Sequence, residues 1–429
     1  MVTGGPYVYC LRCGGSASTR QSPTLLSECL GQGVPEPYIQ LLRSLYADQR
    51  GRVRTDVLSD EFNIQRGTKQ GDPLSSLLFN VLLEHCLRPC KKEWYRKRYG
   101  LRLDPLNNNM LTNLRFADDV LAVAPTLHQI KQMLSDIQRS TANVGLSLHP
   151  GKTKIFTNAN RKSGRQAAGS VHVNGLEIEI IPRTSTTKYL GRLVSCDKPF
   201  ECELNNRIRK AWAAYGLHKQ ELTSRSYPLK DRIRLLNSTV APTLLYGSEV
   251  WPMTRDVEHQ ITCAQRRMLR HMLGAKRRTI QTEGMENTDV DCADVDSNPE
   301  PEQDYTSSGA SESTRLEPWA DFIRRATRAT EEHLQTARME PWVHQQRRRK
   351  WRWAFRVANM DTDRWASQAM YWDPALTSIS ARRATGRPKR RWDDDVREYI
   401  YTQGIYTSWQ SYALSHDAWN ELEDGFATR

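Results

Sequence analysis

No run of eighteen or more apolar residues occurs anywhere in the chain, so a transmembrane helix is not expected. Met1–Gly15 lacks a basic segment followed by an apolar stretch, which excludes a readable secretory leader. Acidic residues are absent from the start of the chain: the first is Glu28 and the first aspartate is Asp48. Nine scattered cysteines, an odd number, argue against a disulfide framework and for reduced thiols inside the cell, in nucleus or cytoplasm. Cys10-x-x-Cys13 has ligand-like spacing, but no matching second pair follows, and incidental cysteines are the preferred reading. Cys86 and Cys90 fall one turn apart on a predicted helix and read as packing residues.

What the chain has is positive charge. Its 429 residues carry a formal net charge of +13, a balance that favours a polyanionic partner through counterion release. The length allows two or three domains. The clearest boundary is Thr279–Thr314, with ten acidic residues and no Lys or Arg, which predicts a disordered acidic linker. It separates a well-patterned N-terminal part from an Arg- and Trp-rich C-terminal region over 315–429. Residues 1–22, small and Gly-rich, read as an irregular N-terminus.

Within the patterned part, Val34–Ala47 carries apolar residues at helical spacing, and Val53–Ile64 reads as a hairpin or irregular strand pair. Asp72 reads as an N-cap with Pro73 in the first helical position; Leu74, Leu77, Leu78, Val81 and Leu82 make one stripe behind it, and Pro89 is expected to close the helix. Leu111–Phe116 and Val120–Ala124 read as short strands around a tight polar turn. A helix is predicted over Thr126–Asn143 with Gly145 as its stop, and Asn174-Gly175 between apolar runs predicts a two-residue hairpin. Helices dominate from Glu203 to Met272; in Arg255–Met272 acids come early and bases late, matching the helix dipole, and Gly274 ends it.

The centre of interest is Phe116-Ala117-Asp118-Asp119. Adjacent strand residues ordinarily point to opposite faces, but at a turn the first acid can face a cleft while the second supports it. Paired carboxylates of this kind suit Mg²⁺, and two such ions activate the attacking oxygen and stabilise the leaving one in phosphoryl transfer. An isolated Asp-Asp turn has a plainer explanation in aspartate's local backbone bonding. Upstream, Arg66–Ser75 is a glycine-containing loop before a helix start; Gly67 and Gly71 permit close backbone approach, and Arg66 and Lys69 suit phosphates.

Together these segments resemble the reverse transcriptases of non-LTR (LINE-type) retrotransposons. Arg66–Asn80 is similar to the family's motif B, Leu114–Val123 to motif C, Gly145–Lys154 to motif D, and Lys188–Gly191 to motif E, the primer grip. Four motifs in order are specific, and the likeness runs from about Val34 to Gly274. It implies an α+β chain: a partial right-hand polymerase palm over 23–198, with an antiparallel sheet and helices, then a helical thumb over 199–278 and a helical C-terminal region. It also implies RNA-directed DNA polymerisation, a nucleotidyl transfer from deoxynucleoside triphosphates with Mg²⁺, on an RNA template and a DNA primer. Asp118 would then be a metal ligand with Asp119 beside it, and Gln70 and Gly71 would sit by the nascent base pair. Lys152 would be a proton donor or charge stabiliser, on physics alone no better supported than a surface lysine. Tyr189, Leu190 and Gly191 would hold the primer end.

The resemblance also implies a motif A just ahead of Leu25 that supplies another metal-binding aspartate. Arg12–Gln21 occupies that stretch and contains no acid. With fingers and motif A missing, impaired activity is expected, from a truncated element copy or an incomplete gene model; the alternative is a non-catalytic nucleic-acid-binding remnant.

Nine of the twelve tryptophans lie after residue 315, and most read as the core of a helical domain. The basic clusters Arg347-Arg348-Arg349-Lys350 and Arg390-Arg391 read either as solvated faces or as contacts to RNA or DNA, the latter suiting the polymerase context. Asp393–Asp395 reads as a helix N-terminus. No oligomeric state is implied.

Overall fold

A computed structural model describes residues 7–12, 31–64, 72–103, 109–157, 169–281, 314–372 and 390–429. By mutual packing the chain divides into two compact units, one of residues 1–206 with 352–422 and the other of 207–351 with 423–429.

The first unit is built on a six-stranded sheet. Its strands are β1 (Tyr7–Arg12), β6 (Asn113–Phe116), β7 (Asp119–Ala124), β8 (Lys154–Phe156), β9 (Gly169–Val173) and β10 (Leu176–Ile181), in the order β6-β7-β1-β8-β10-β9. All neighbours run antiparallel except β8 and β10, which pair in parallel with Ile155 opposite Ile180, so the expected all-antiparallel sheet is a mixed one. The irregular N-terminus expected over 1–22 is corrected at Tyr7–Arg12: this stretch is a strand in the middle of the sheet, paired to β7 on one side and β8 on the other. Tyr-Val-Tyr-Cys-Leu is β-prone. A central strand need not alternate apolar with polar residues, which is why periodicity missed it.

The unit also holds small two-stranded pairs. They are β2 (Arg50–Gly51) with β3 (Phe62–Asn63), β4 (Leu101–Arg102) with β5 (Met110–Leu111), and β11 (Thr186–Tyr189) with β12 (Arg192–Ser195). The Asn174-Gly175 hairpin forms as read, with both turn residues at positive φ (46° and 81°), the twist-matched two-residue turn.

Three helices belong to this part of the unit: α1 (Glu36–Tyr46), α2 (Pro73–Arg96) and α3 (Leu127–Ala142); α2 and α3 pack against the sheet, and α1 packs on α2. Asp72 caps α2 by accepting from the Leu74 amide at 3.0 Å, and Thr126 caps α3 through the Gln129 amide. Pro89 does not close α2; the helix continues seven residues further, to Arg96. An interior proline costs ~3 kcal/mol through its missing N–H and ring clash. The continuation offsets that cost by burying Cys90 and Trp94 with Leu83 and Leu87, against Val120, Ala122 and Ala124 of β7 and Ile130, Met133, Leu134 and Ile137 of α3. Each large apolar side chain so buried contributes about 1.5–3 kcal/mol. Trp94 has no exposed surface, and its indole N–H donates to Asp136 Oδ2 at 3.0 Å. Cys86 and Cys90 pack in this interior as read.

The C-terminal part of the same unit carries a second, aromatic core. Trp409 and Trp419 are buried with ring centroids 6.1 Å apart, and Trp409 Nε1 donates to Asp393 Oδ2 at 3.2 Å. Asp393 sits just ahead of the helix Asp394–Thr402, so the acidic triplet marks a helix start.

The second unit is helical. Its cleanest helix, Arg255–Leu273, is capped by Thr254 and ended by Gly274 at φ 65°. Thr279–Gln281 pairs antiparallel with Thr314–Leu316, so the two ends of the expected acidic linker are strands of one small sheet, and 282–313 lies outside the described residues. Trp342 and Trp351 are buried along the helix Trp342–Ala358. No helix among the described residues is long and apolar enough to cross a membrane.

Candidate active site

The carboxylate pair sits on a two-residue turn. Phe116 pairs with Asp119, leaving Ala117 and Asp118 as the loop between β6 and β7. Ala117 takes φ +51°, a left-handed conformation that costs an L-residue about 1–2 kcal/mol and is stored where a site over-determines it. The consequence is a division of labour between neighbouring acids. Asp118 is exposed at the tip, with no hydrogen bond or ion pair among the described residues, whereas Asp119 opens β7 and is buried. The hairpin is held from below: Arg115 on β6 reaches Glu84 on α2 at 2.6 Å, and Lys91 reaches the same carboxylate at 3.2 Å. Burial pushes the Glu84 carboxyl up, but the two cations outweigh it and hold it below its ordinary value of 4.5.

On the next strand, the residue in register with Asp119 is Arg12. Cys10 of β1 is in register with both Leu121 and Lys154. Lys152, two residues ahead of β8, therefore lies at the same end of the sheet as Asp119; it is exposed. Tyr189-Leu190-Gly191 forms the turn of the β11–β12 hairpin, with Leu190 and Gly191 at φ 46° and 74°. That hairpin is pinned by a residue the sequence reading missed. Glu203 is 1% exposed, accepts from the Leu193 amide at 2.6 Å and lies 3.7 Å from Arg192. An acid four residues into a helix gives no sequence signal that it caps a hairpin ten residues back.

Arg66, Lys69, Gln70 and Gly71 lie outside the described residues, as does Cys13. The basic runs of the C-terminal region are engaged within the protein. Arg347 meets Glu258 at 2.8 Å, Arg349 donates to the Leu245 carbonyl at 3.1 Å, and Lys350 has no exposed surface. Arg348 is within 3.2 Å of Glu340, Glu423 and Asp424. Burial works against its charge, but these acids prevail and stabilise the guanidinium further. Arg390 pairs with Glu398 at 2.6 Å, and Arg391 reaches the Met370 carbonyl at 3.4 Å.

As a cation site the pair is incomplete. Two adjacent carboxylates can bind one hard cation weakly. Among the described residues no group of three or more His, Cys, Asp or Glu gathers around a common point. The residues present do not by themselves fit a two-ion centre.

The model of the family described as reverse transcriptase (RNA-dependent DNA polymerase) matches residues 23–194, the stretch that contains the carboxylate hairpin and the β11–β12 turn. A transposon-derived protein of Caenorhabditis elegans is 24% identical over 73% of this chain and 95% of its own length. The retrovirus-related Pol polyprotein of the type-2 retrotransposable element R2DM of Drosophila melanogaster is 28% identical over 50% of this chain, which spans 19% of that polyprotein. A Pol polyprotein of the type-1 element R2 of Popillia japonica is 26% identical over 49% of this chain and 33% of its own length.

Proposed function

From a chain whose residues 23–194 are a reverse transcriptase domain of the non-LTR retrotransposon kind, we propose that the Asp118–Asp119 hairpin is the reaction centre of an RNA-directed DNA polymerase, weakened in this chain. The observation that carries the reading is the turn itself: a left-handed Ala117 presents Asp118 to solvent and keeps Asp119 in the strand. In this reading the six-stranded sheet is the palm and the helices over 199–278 the thumb. The substrates are an RNA template, a DNA primer and deoxynucleoside triphosphates. Arg66 and Lys69 would serve phosphates and Gln70 and Gly71 the template and nascent base pair, Tyr189, Leu190 and Gly191 hold the primer end, and Lys152 supplies a proton or positive charge at the same end of the sheet as Asp119.

Divalent cations such as Mg²⁺ supply charge neutralisation and an activated oxygen in this chemistry. Their ligands must come from more than one strand, and on the strand beside β7 the position in register with Asp119 is Arg12, not an acid. We therefore assign the weakness to the want of an acidic ligand at this position. The same want of a second acid supports a second reading, a domain that binds nucleic acid without polymerising it.

Primer extension on an RNA template by purified protein tests this. Incorporation near background is expected for the wild type and for Asp118→Ala. Robust wild-type extension lost in Asp118→Ala would refute the impairment and keep the site; robust extension that survives Asp118→Ala would refute the site.

A further inference from the structure

The β11–β12 hairpin is a two-stranded sheet of its own, and a lone hairpin is marginally stable in water. Its turn is also strained, because Leu190 sits at φ 46°, a conformation that suits glycine and asparagine. Tyr189 and Arg192 flank the two-residue turn as partners. A flanking pair of this kind exchanges hydrogen bonds across the hairpin, so the next amide along β12, that of Leu193, points away from β11. In place of a third strand it meets a side chain: it donates to Glu203 Oε2 at 2.6 Å, near the start of the helix Pro199–Leu217.

A carboxylate only 1% exposed is destabilising there unless it is well bonded, and a neutral side chain would fill the space without that penalty. What the charge adds is the strength of the tie. Charge-assisted hydrogen bonds are shorter than neutral ones and about twice as strong, and 2.6 Å is short for an amide donor. Asn206 Nδ2 donates to the same oxygen at 3.2 Å from one turn along the helix, and Arg192 Nε lies 3.7 Å from the other oxygen. The carboxylate is thus fixed to its helix on one side and to two successive residues of β12 on the other, directly after the turn. We infer that Glu203 is a positioning residue: it sets the place of the Tyr189–Gly191 turn, and through that turn the primer end, while its burial keeps it from touching the primer itself. This role rests on the turn being the primer grip.

The test uses the full chain and two readouts. One is hydrogen exchange of the hairpin. The other is photocrosslinking of a DNA primer with 4-thiothymidine at its 3′ end, annealed to an RNA template, without nucleotides, so that incorporation plays no part. Glu203→Ala is expected to speed exchange of the Leu193 amide roughly 10- to 100-fold, the worth of a hydrogen bond to a charged group. Glu203→Gln keeps an acceptor and is expected to speed it only ~3- to 10-fold, a neutral bond being about half as strong. In the wild type the crosslink is expected on the peptide containing Tyr189–Gly191. Per bound primer, Glu203→Ala is expected to lose most of that crosslink, and Glu203→Gln to retain more of it. Trp94→Phe, which destabilises the same unit through a different set of contacts, is expected to leave the crosslink in place. Should Glu203→Ala fail to fold, Glu203→Gln against the wild type carries both comparisons. Unchanged Leu193 exchange, or faster exchange with the crosslink intact, overturns the inference and leaves the primer grip standing. Equal loss of the crosslink in Trp94→Phe traces the effect to general destabilisation and overturns the inference as well. Absence of the wild-type crosslink overturns the primer grip and the inference with it.

Discussion

Replacing Arg348 by glutamine separates an internal tie from a nucleic-acid contact. Its guanidinium is 26% exposed and holds Glu340 at 3.0 Å, Glu423 at 3.2 Å and Asp424 at 2.6 Å. The three acids do not count equally. Asp424 is 85% exposed, and a pair screened that well contributes about 0.5 kcal/mol or less. Glu423 is 12% exposed and Glu340 31%, so their bonds to a charged donor fall near the usual ~1.5–3 kcal/mol each, less when they share one donor. Removing the arginine also leaves like charges facing one another. The expected loss is about 2 kcal/mol, between the value for an exposed pair and that for breaking a buried one. Urea titration followed by tryptophan fluorescence suits the test, because Trp342 and Trp351 are buried on the same helix. Asp424→Asn should lose about 0.5 kcal/mol or less in the same assay. The reasoning fails if Arg348→Gln unfolds within about 0.5 kcal/mol of wild type while the salt slope for nucleic-acid binding drops by ~0.7–0.9, the signature of a lost phosphate contact.

Other outcomes follow from the same structure. Trp94→Phe should destabilise the first unit by about 2–4 kcal/mol, because the bond to Asp136 and part of a fully buried ring are lost together; a double-mutant cycle with Asp136→Ala should give a coupling of about 1 kcal/mol or more, and simple additivity would count against the bond. Glu84 has a folded pKa below 4.5, so its stabilising contribution is present above that pH and disappears as pH falls through the lowered value; the stability difference between wild type and Glu84→Gln should therefore shrink on acidification, and a constant difference would contradict it. Ala117→Val should cost about 1–2 kcal/mol at a left-handed position while Ala117→Gly is tolerated, as read from thermal unfolding midpoints.

Much of the site was legible because its signals are local. Asp72 with Pro73, Thr126, Asn174-Gly175 and Gly274 each act on backbone groups within a few residues, and each does in the structure what its type predicts. The acid pair was legible for the same reason, since a two-residue turn between apolar strands is a short-range pattern. What escaped depends on partners distant in sequence. Tyr7–Arg12 is a strand because β7 and β8, more than a hundred residues away, pair with it. Pro89 fails to stop its helix because the burial of Trp94 outweighs a local penalty. Arg347 to Lys350 has the composition of a nucleic-acid contact, yet acids at 258, 340, 423 and 424 hold two of its guanidinium groups inside the unit. Charge in a sequence states how much cation exists; only the fold states how much of it is uncommitted.

The central claim is that Asp118 and Asp119 are a polymerase reaction centre weakened by the want of an acid at the position in register beside them, where Arg12 stands. Primer extension with Mg²⁺ by Arg12→Asp, set against wild type and Arg12→Asp with Asp118→Ala, tests it most directly. The account predicts background incorporation for the wild type, a rise above background for Arg12→Asp, and loss of that rise in the double variant. Wild-type extension equal to that of Arg12→Asp, or a rise that survives Asp118→Ala, would contradict it.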